Sequence, residues 1–409
     1  MSEVETEAKI APLSAAEEVS YPLLFAAGCA ALLLFGVVMT VLGVMFGLPA
    51  VRAQLHINFA QQGQLFLLLF LGMLVSDLLA GTLSDRFGRK LVLSAACLLV
   101  ALALAGLALA DSFRSAGWPI FVLGIGGGAL NVAANALVSD VAAGRRGAAM
   151  NHAGAFFGVG ALLVPAAFVG VEGVLRPAQV LLGTAGICVA GCVFFLSLRF
   201  PRPAHKSGFS LLQSLRVARY PGFWALMLLL LFQAGNEAAV GGWTSSFAGA
   251  AGLSPRAATA VLASMWVAVI AARGLAGFLV ARLGKHNTII VSALGGVVGC
   301  ALLLSAHSLA MLALGAVVVG LAFAPIFQTG LSIAADRYPR EAGSVFGLLF
   351  ASAVPGCMVW PWALGEVAQR YGLRLAMWIP LLGMCGVCVL AVVMRRVLPA
   401  GDERQGSAH

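Results

Sequence analysis

The sequence predicts an all-α membrane protein, twelve transmembrane helices arranged as two pseudo-symmetric six-helix bundles. Three observations carry this. Of 409 residues, 61% are apolar and 10% charged, whereas a soluble domain carries about 25% charge. The mean hydropathy is +0.99. The chain also divides at charges, glycines and prolines into twelve apolar stretches, each near the roughly 20 residues that a helix needs to cross the hydrocarbon. Helices are the natural solution there because they satisfy their own backbone groups. The alternating segments of about ten residues that mark a membrane barrel do not occur.

The stretches follow in order. After an acidic tail holding Glu3, Glu5, Glu7, Glu17 and Glu18, the first spans 22–50 and stops before Arg52. The second, 60–82, ends at the charged run LSDRFGRK; the third, 91–110, ends at Asp111; the fourth covers 117–141. Arg145 and Arg146 precede the fifth, 148–171, and Arg176 with Pro177 the sixth, 178–199. The longest polar break, about 201–219, separates these from the rest. Pro221 opens the seventh, 221–247, and Pro255 the eighth, 255–281; the ninth and tenth are 287–306 and 308–335. The eleventh, 342–368, and the twelfth, 373–397, complete the set. The expected organisation is thus a tail (1–21), a first bundle (22–199), a linker (200–220), a second bundle (221–397) and a tail (398–409).

Counting Lys and Arg orients the chain. With the N-terminus in the cytoplasm, cytoplasmic segments hold 18 and outer loops 6, with Arg273 inside a span completing the total of 25. Both termini are therefore expected in the cytoplasm, in a bacterial inner membrane. The acidic N-terminus has the wrong charge for a secretory signal. The net charge of +9 comes from short clusters between spans, so membrane lipid and not nucleic acid is the expected neighbour. All eight cysteines lie in apolar spans, and no disulfide framework or zinc site follows. GIGGGA (124–129) lies in a span with no preceding strand, so it reads as close helix contact and not as a phosphate loop.

The halves repeat at an offset of 196. Gly81 recurs as Gly277, Arg86 as Arg282, Gly88 as Gly284, Arg89 as Lys285, Asp140 as Asp336 and Pro165 as Pro361. Two parallel repeats about an axis normal to the membrane are a transporter architecture, with the solute site at mid-membrane between them.

GTLSDRFGRK (81–90), between spans two and three, resembles the signature G-x-L-x-D-R-x-G-R-K of the major facilitator superfamily, and LVARLGKH (279–286) resembles its degenerate echo after span eight. The resemblance covers the whole chain. It implies a conformational latch formed by Gly81, Asp85, Arg86, Gly88, Arg89 and Lys90, with Arg282 in the echo. Gly81 and Gly88 suit close packing and a tight turn, Asp85 suits a neighbouring helix N-terminus, and the basic residues suit an anionic surface. Asp77 and its repeat mate Arg273 are expected to join the latch, or else to snorkel to the headgroups. More finely, GGGALNVAANALVSD (126–140) and GAFFGVGALLVP (154–165) resemble the fucose–galactose–glucose symporter group, and GNEAAVGGW (235–243) the sodium-dependent glucose transporter branch. Proton-coupled fucose permeases carry acids in spans one and four. Here span one has none and Asn131 stands at the span-four position, which leaves that coupling route without its acids.

Ionisable groups at mid-membrane are functional candidates. Of 16 acids, Glu237 is the clearly central one. It is expected to carry coupling, either by a proton or by Na⁺ held with Gln233 and Asn236 oxygens; a purely structural hydrogen bond is the other reading. Gln233, Asn236 and Glu237 share a helix face, as do Asn131 and Asn135. Gln328, Thr329 and Ser332 add polar groups on span ten. Amides both donate and accept, which suits sugar hydroxyls. Trp243, Trp266, Trp360 and Trp362 offer either flat faces for a sugar ring or packing. The expected activity is H⁺- or Na⁺-coupled symport of a small polar solute, a monosaccharide, by a monomer without other cofactor or catalytic set. The alternatives are a drug/H⁺ antiporter of the same superfamily and, outside transport, a membrane receptor or enzyme. A drug antiporter would want an acid in the first half, and an organic-anion carrier a central Arg or Lys there.

Overall fold

The computed structural model describes residues 21–141, 146–171, 173–200, 220–338 and 342–398. Among them are twelve long helices: α1 Tyr21–Gly47, α2 Phe59–Phe87, α3 Arg89–Ala108, α4 Phe113–Val141, α5 Arg146–Val171, α6 Pro177–Ser197, α7 Pro221–Ala250, α8 Pro255–Leu283, α9 Lys285–Ser305, α10 Leu309–Arg337, α11 Ala342–Tyr371 and α12 Trp378–Val397. All twelve are long and apolar enough to cross a membrane. The expected tails and most of the linker lie outside the described residues.

Most boundaries shift by a few residues, and three of the shifts have clear local reasons. α1 stops at Gly47 because Pro49 opens a separate short helix, Pro49–Gln54, proline being suited to a first helical position. α2 continues beyond residue 82 to Phe87 and ends at Gly88, whose N–H closes the last turn on the Ser84 carbonyl and whose φ of 84° then breaks the helix. The turn Leu373–Ala376 precedes α12. Gly284, at the repeat position of Gly88, has φ 76° and separates α8 from α9 in the same way. Only glycine takes such a φ without strain.

Packing repeats as the sequence does. In the first bundle α1 packs on α5, α2 on α4, and α3 on α4 and α6; in the second, α7 packs on α11, α8 on α10, and α9 on α10 and α12. The bundles meet through α2 on α11, its mate α5 on α8, and α1 on α7. The central window of α1 is 83% buried and that of α6 28% buried, so α1 is core while α6 turns outward. Leu102, Ile187, Leu294 and Leu382 are exposed on α3, α6, α9 and α12; this is surface for lipid, where apolar exposure costs nothing.

Tyr21, Phe200, Tyr220 and Leu398 mark one face of the bundle, here the terminal face. On the opposite face the bundles are in contact. A Cβ on Gly43 would lie 2.6 Å from the Gly241 carbonyl, and one on Gly47 2.4 Å from the Ser245 Cβ. A Cβ on Gly63 would lie 2.9 Å from the Trp362 carbonyl and 3.2 Å from the Gly365 Cα. Gln62 donates to Ser246 Oγ at 3.2 Å, and that hydroxyl donates to the Phe46 carbonyl at 3.1 Å. Behind this seam Phe66 meets Phe46 edge-on at 5.7 Å and Trp243 at 6.1 Å. Small residues bring backbones together where no hydrophobic gain separates protein from lipid.

Candidate functional site

Between the bundles, on the terminal side of the seam, lies a cavity of ≈ 210 Å³. Its walls come from α1, α2, α4 and α5 of the first bundle and α7, α8, α10 and α11 of the second. Much of the lining is aromatic or methionine, including Phe35, Phe66, Phe70, Phe157, Trp266 and Phe327 with Met39 and Met73. The polar lining is sparse: Asp77, Asn131, Asn135, Glu237, Arg273 and Gln328.

The two asparagines are held by helix geometry. Four residues apart, they stack on one face of α4. Asn135 donates through Nδ2 to both the carbonyl and the Oδ1 of Asn131, at 2.9 and 2.8 Å. Gln328 enters from α10. Glu237 enters from α7 and interacts electrostatically with Arg273 of α8. Arg273 donates through Nη1 to the Gly154 carbonyl at 2.6 Å, and its guanidinium lies 4.9 Å from the Phe157 ring centroid. It therefore ties α8 to α5 across the two bundles.

Several expectations are corrected. Gln233 and Asn236 are fully buried but do not line the cavity. Gln233 donates to the Phe323 carbonyl of α10 at 3.3 Å, and Asn236 to Met384 Sδ of α12 at 3.2 Å. The cavity stripe of α7 is Ala234, Glu237, Ala238, Gly241 and Gly242. Glu237 sits at the edge of that stripe, and its i−4 and i−1 neighbours turn into the bundle interior. The amides proposed to hold Na⁺ with Glu237 thus donate to other helices, and their oxygens are buried without a hydrogen-bond partner. Trp243 is fully buried against Phe59 and Phe66, and Trp360 stacks edge-on with Phe232 at 4.9 Å; neither lines the cavity, nor does buried Thr329. Of the tryptophans considered, Trp266 lines it and meets Phe157 at 5.9 Å.

Asp77 and Arg273 also depart from expectation. Both line the cavity, and no ion pair among the described residues joins either to the motif. Asp77 Oδ1 is buried without a hydrogen-bond partner, close enough to α4 that a Cβ on Gly128 would lie 3.1 Å from it. In the motif, Arg89 forms an ion pair with Asp140, and Lys285 forms the matching one with Asp336. Both pairs are 196 apart in register, so the basic residue of the motif reaches the end of α4 or α10. Arg86 lies over Phe87 at 5.2 Å and Arg282 over Phe278 at 4.4 Å. Lys90 is half-buried at the start of α3. Gly81 is not a close-packing position, since a Cβ there meets no atom within 4 Å; it lies on the outer side of α2, while Ala80 and Ser84 beside it are buried. The Asp85 side chain lies outside the described residues.

Known proteins agree with this architecture. Residues 28–304 and 250–409 match the Major Facilitator Superfamily. An uncharacterized transporter, y4wD, of Sinorhizobium fredii (strain NBRC 101917 / NGR234) is 25% identical over 363 residues, covering 87% of this chain and 95% of its own. Among solved structures, a D-xylose-proton symporter superposes with a TM-score of 0.77 at 15% identity, over 93% of this chain and 98% of its own. The nucleoside transporter NupG gives 0.73 at 15% over 93% and 99%. A bacterial homolog of the human lysosomal transporter Spinster, inward-facing and unoccupied, gives 0.74 at 16% over 92% and 97%. At these identities the structures speak to fold alone. Fold, repeat and family match agree that the chain is a multi-pass membrane transporter, not an enzyme, and belongs to the major facilitator superfamily.

Proposed function

We propose that the protein is a proton-coupled symporter of a small, hydroxyl-bearing solute such as a monosaccharide, working by alternating access of the two bundles. The single observation that supports it most is the cavity itself: sealed on the opposite face and walled by both bundles, with Glu237 in its lining. Asn131, Asn135 and Gln328 supply amide donors and acceptors for hydroxyls, and the aromatic walls supply faces for a ring. With Gln233 and Asn236 turned away, a proton on Glu237 is the simpler coupling ion. The Lys and Arg count supports a cytoplasmic terminal face; with the bundles in contact on the other face, we read this conformation as inward-facing, in a bacterial inner membrane.

The test is uptake of labelled monosaccharides into proteoliposomes under separate H⁺ and Na⁺ gradients. Accumulation that follows the acid gradient and disappears in Glu237→Gln is expected; accumulation that survives the substitution removes Glu237 from the coupling. One observation favours a second reading, drug/H⁺ antiport: Asp77 puts a first-bundle acid in a cavity rich in Phe and Met. Acid-driven efflux of lipophilic cations, with no sugar uptake, would establish it instead.

A further inference from the structure

Two hydrogen-bond donors in the cavity wall have nothing to donate to. Trp266 and Arg273 are seven residues apart on α8, within about 20° of the same helix face. Phe157 of α5 holds both, at 5.9 Å from the indole and 4.9 Å from the guanidinium. Arg273 Nη1 is engaged by the Gly154 carbonyl. Arg273 Nε and Trp266 Nε1 are buried and unpartnered. The Cζ2 edge of that indole, beside Nε1, faces the cavity glycine Gly241, where a Cβ would lie 3.6 Å away. A buried donor left unpaired costs about 1–3 kcal/mol, and more when charged. The pair therefore awaits an acceptor.

We infer that the transported solute carries a carboxylate, which accepts from Arg273 Nε–H and Trp266 Nε1–H while its hydroxylated body faces Asn131, Asn135 and Gln328. This deepens the symport reading and rests on it. Arg273 is the single Lys or Arg in the wall among the described residues, which suits one carboxylate, and charge-assisted hydrogen bonds are about twice as strong as neutral ones. The titratable side chains lining the cavity, among the described residues, are Asp77 from α2, Glu237 from α7, Arg273 from α8 and Cys357 from α11. Glu237 already interacts with Arg273. An incoming carboxylate competes with it for the same guanidinium, so a proton taken up by Glu237 lets carboxylate and proton enter together as a neutral pair. The carboxylate–proton couple also accounts for Glu237 and Arg273 sharing one cavity, with Asp77 a second acid on the α2 side.

The test uses the full chain in liposomes, with D-glucuronate, D-glucose and D-glucosamine as anionic, neutral and cationic probes of one ring. Counterflow reads recognition, and accumulation under an inward acid gradient reads coupling. Glucuronate counterflow about tenfold or more above the other two is expected, the difference that one hydrogen bond to a charged group makes. Arg273→Gln abolishes it. Because Arg273 also joins the bundles, Trp266→Phe is the cleaner variant: it keeps the ring, removes the donor, and raises the glucuronate concentration at half-maximal counterflow about fivefold or more. Selective glucuronate counterflow that ignores the acid gradient supports the carboxylate and sinks the symport reading alone. Equal counterflow of glucose and glucuronate, no counterflow of any probe, or a Trp266→Phe protein indistinguishable from wild type overturns the inference.

Discussion

Arg273 Nη1 of α8 donates to the Gly154 carbonyl of α5 at 2.6 Å, a hydrogen bond that crosses from one bundle to the other beside the cavity. Alternating access requires interfaces of this kind to break and reform. The bond lies in the wall of the cavity proposed as the solute site, so on that proposal occupancy and bundle movement act on one side chain. Removing the guanidinium charge while keeping length, as in Arg273→Met, is expected to cut solute exchange by more than tenfold. Size-exclusion profiles and thermal unfolding of the detergent-solubilised protein separate this from misfolding.

Glu237→Gln keeps the shape of the side chain and loses the titratable proton. Counterflow, which needs no net ion movement, is expected to persist, while accumulation driven by an acid gradient falls to the level of empty liposomes. Loss of both together would mean that Glu237 positions the solute and does not couple it.

The asparagine pair makes a graded prediction. Asn131→Ala removes one acceptor of Asn135 and leaves the carbonyl of residue 131 as the other. A weakening of solute binding by about tenfold, near 1.4 kcal/mol, is expected, with maximal rate retained. Transport kinetics in which the rate falls and KM does not would assign the pair to helix packing.

The glycine seam is the most direct steric case. No side chain fits at Gly63 or Gly43 without moving backbone, as a Cβ already meets main-chain atoms of the other bundle at 2.9 and 2.6 Å. Gly63→Trp is expected to hold the opposite face apart. Spin labels at Gln61 and Arg370, on facing ends of α2 and α11, should report a longer distance than in wild type, with transport at background. An unchanged distance distribution would show that the seam relaxes around the ring.

The paired Arg89–Asp140 and Lys285–Asp336 bridges are partly exposed, with side chains 23% and 34% accessible in the first and 26% and 64% in the second. Solvent screens such pairs, and each is worth about 0–1 kcal/mol. A double-mutant cycle on Arg89→Ala and Asp140→Ala should return a coupling within that range, read as unfolding midpoints in detergent. A larger effect on the exchange rate than on stability would make the pair a conformational clasp.

Much of the fold was legible because lipid imposes one simple rule on a long stretch of chain. Spans such as 178–199 and 255–281 needed only length, apolarity and flanking charge, and the offset of 196 anticipated that Lys285 would repeat Arg89. The site was legible only in part. Asn131, Asn135, Gln328 and Glu237 line the cavity because polar residues in a span must face protein or water. Gln233 and Asn236 obey the same rule by facing α10 and α12, and nothing in the spacing on α7 distinguishes those two interiors from the cavity. Asp77 and Arg273 lie close before the basic motifs in sequence, so linear distance assigned them to the latch, with the headgroups as the other reading.

The sequence alone determined that this chain crosses a membrane twelve times as a duplicated set of helices, because hydrophobic length and charge placement are one-dimensional quantities. Tertiary structure decided which polar groups share a cavity. Helices of equal apolarity differ by rotation about their axes and by partner, and close contacts such as Gly43 on Gly241, nearly 200 residues apart, set both. The same packing brought Arg273 to Gly154 and left its Nε, with Trp266 Nε1, unpaired at the cavity wall.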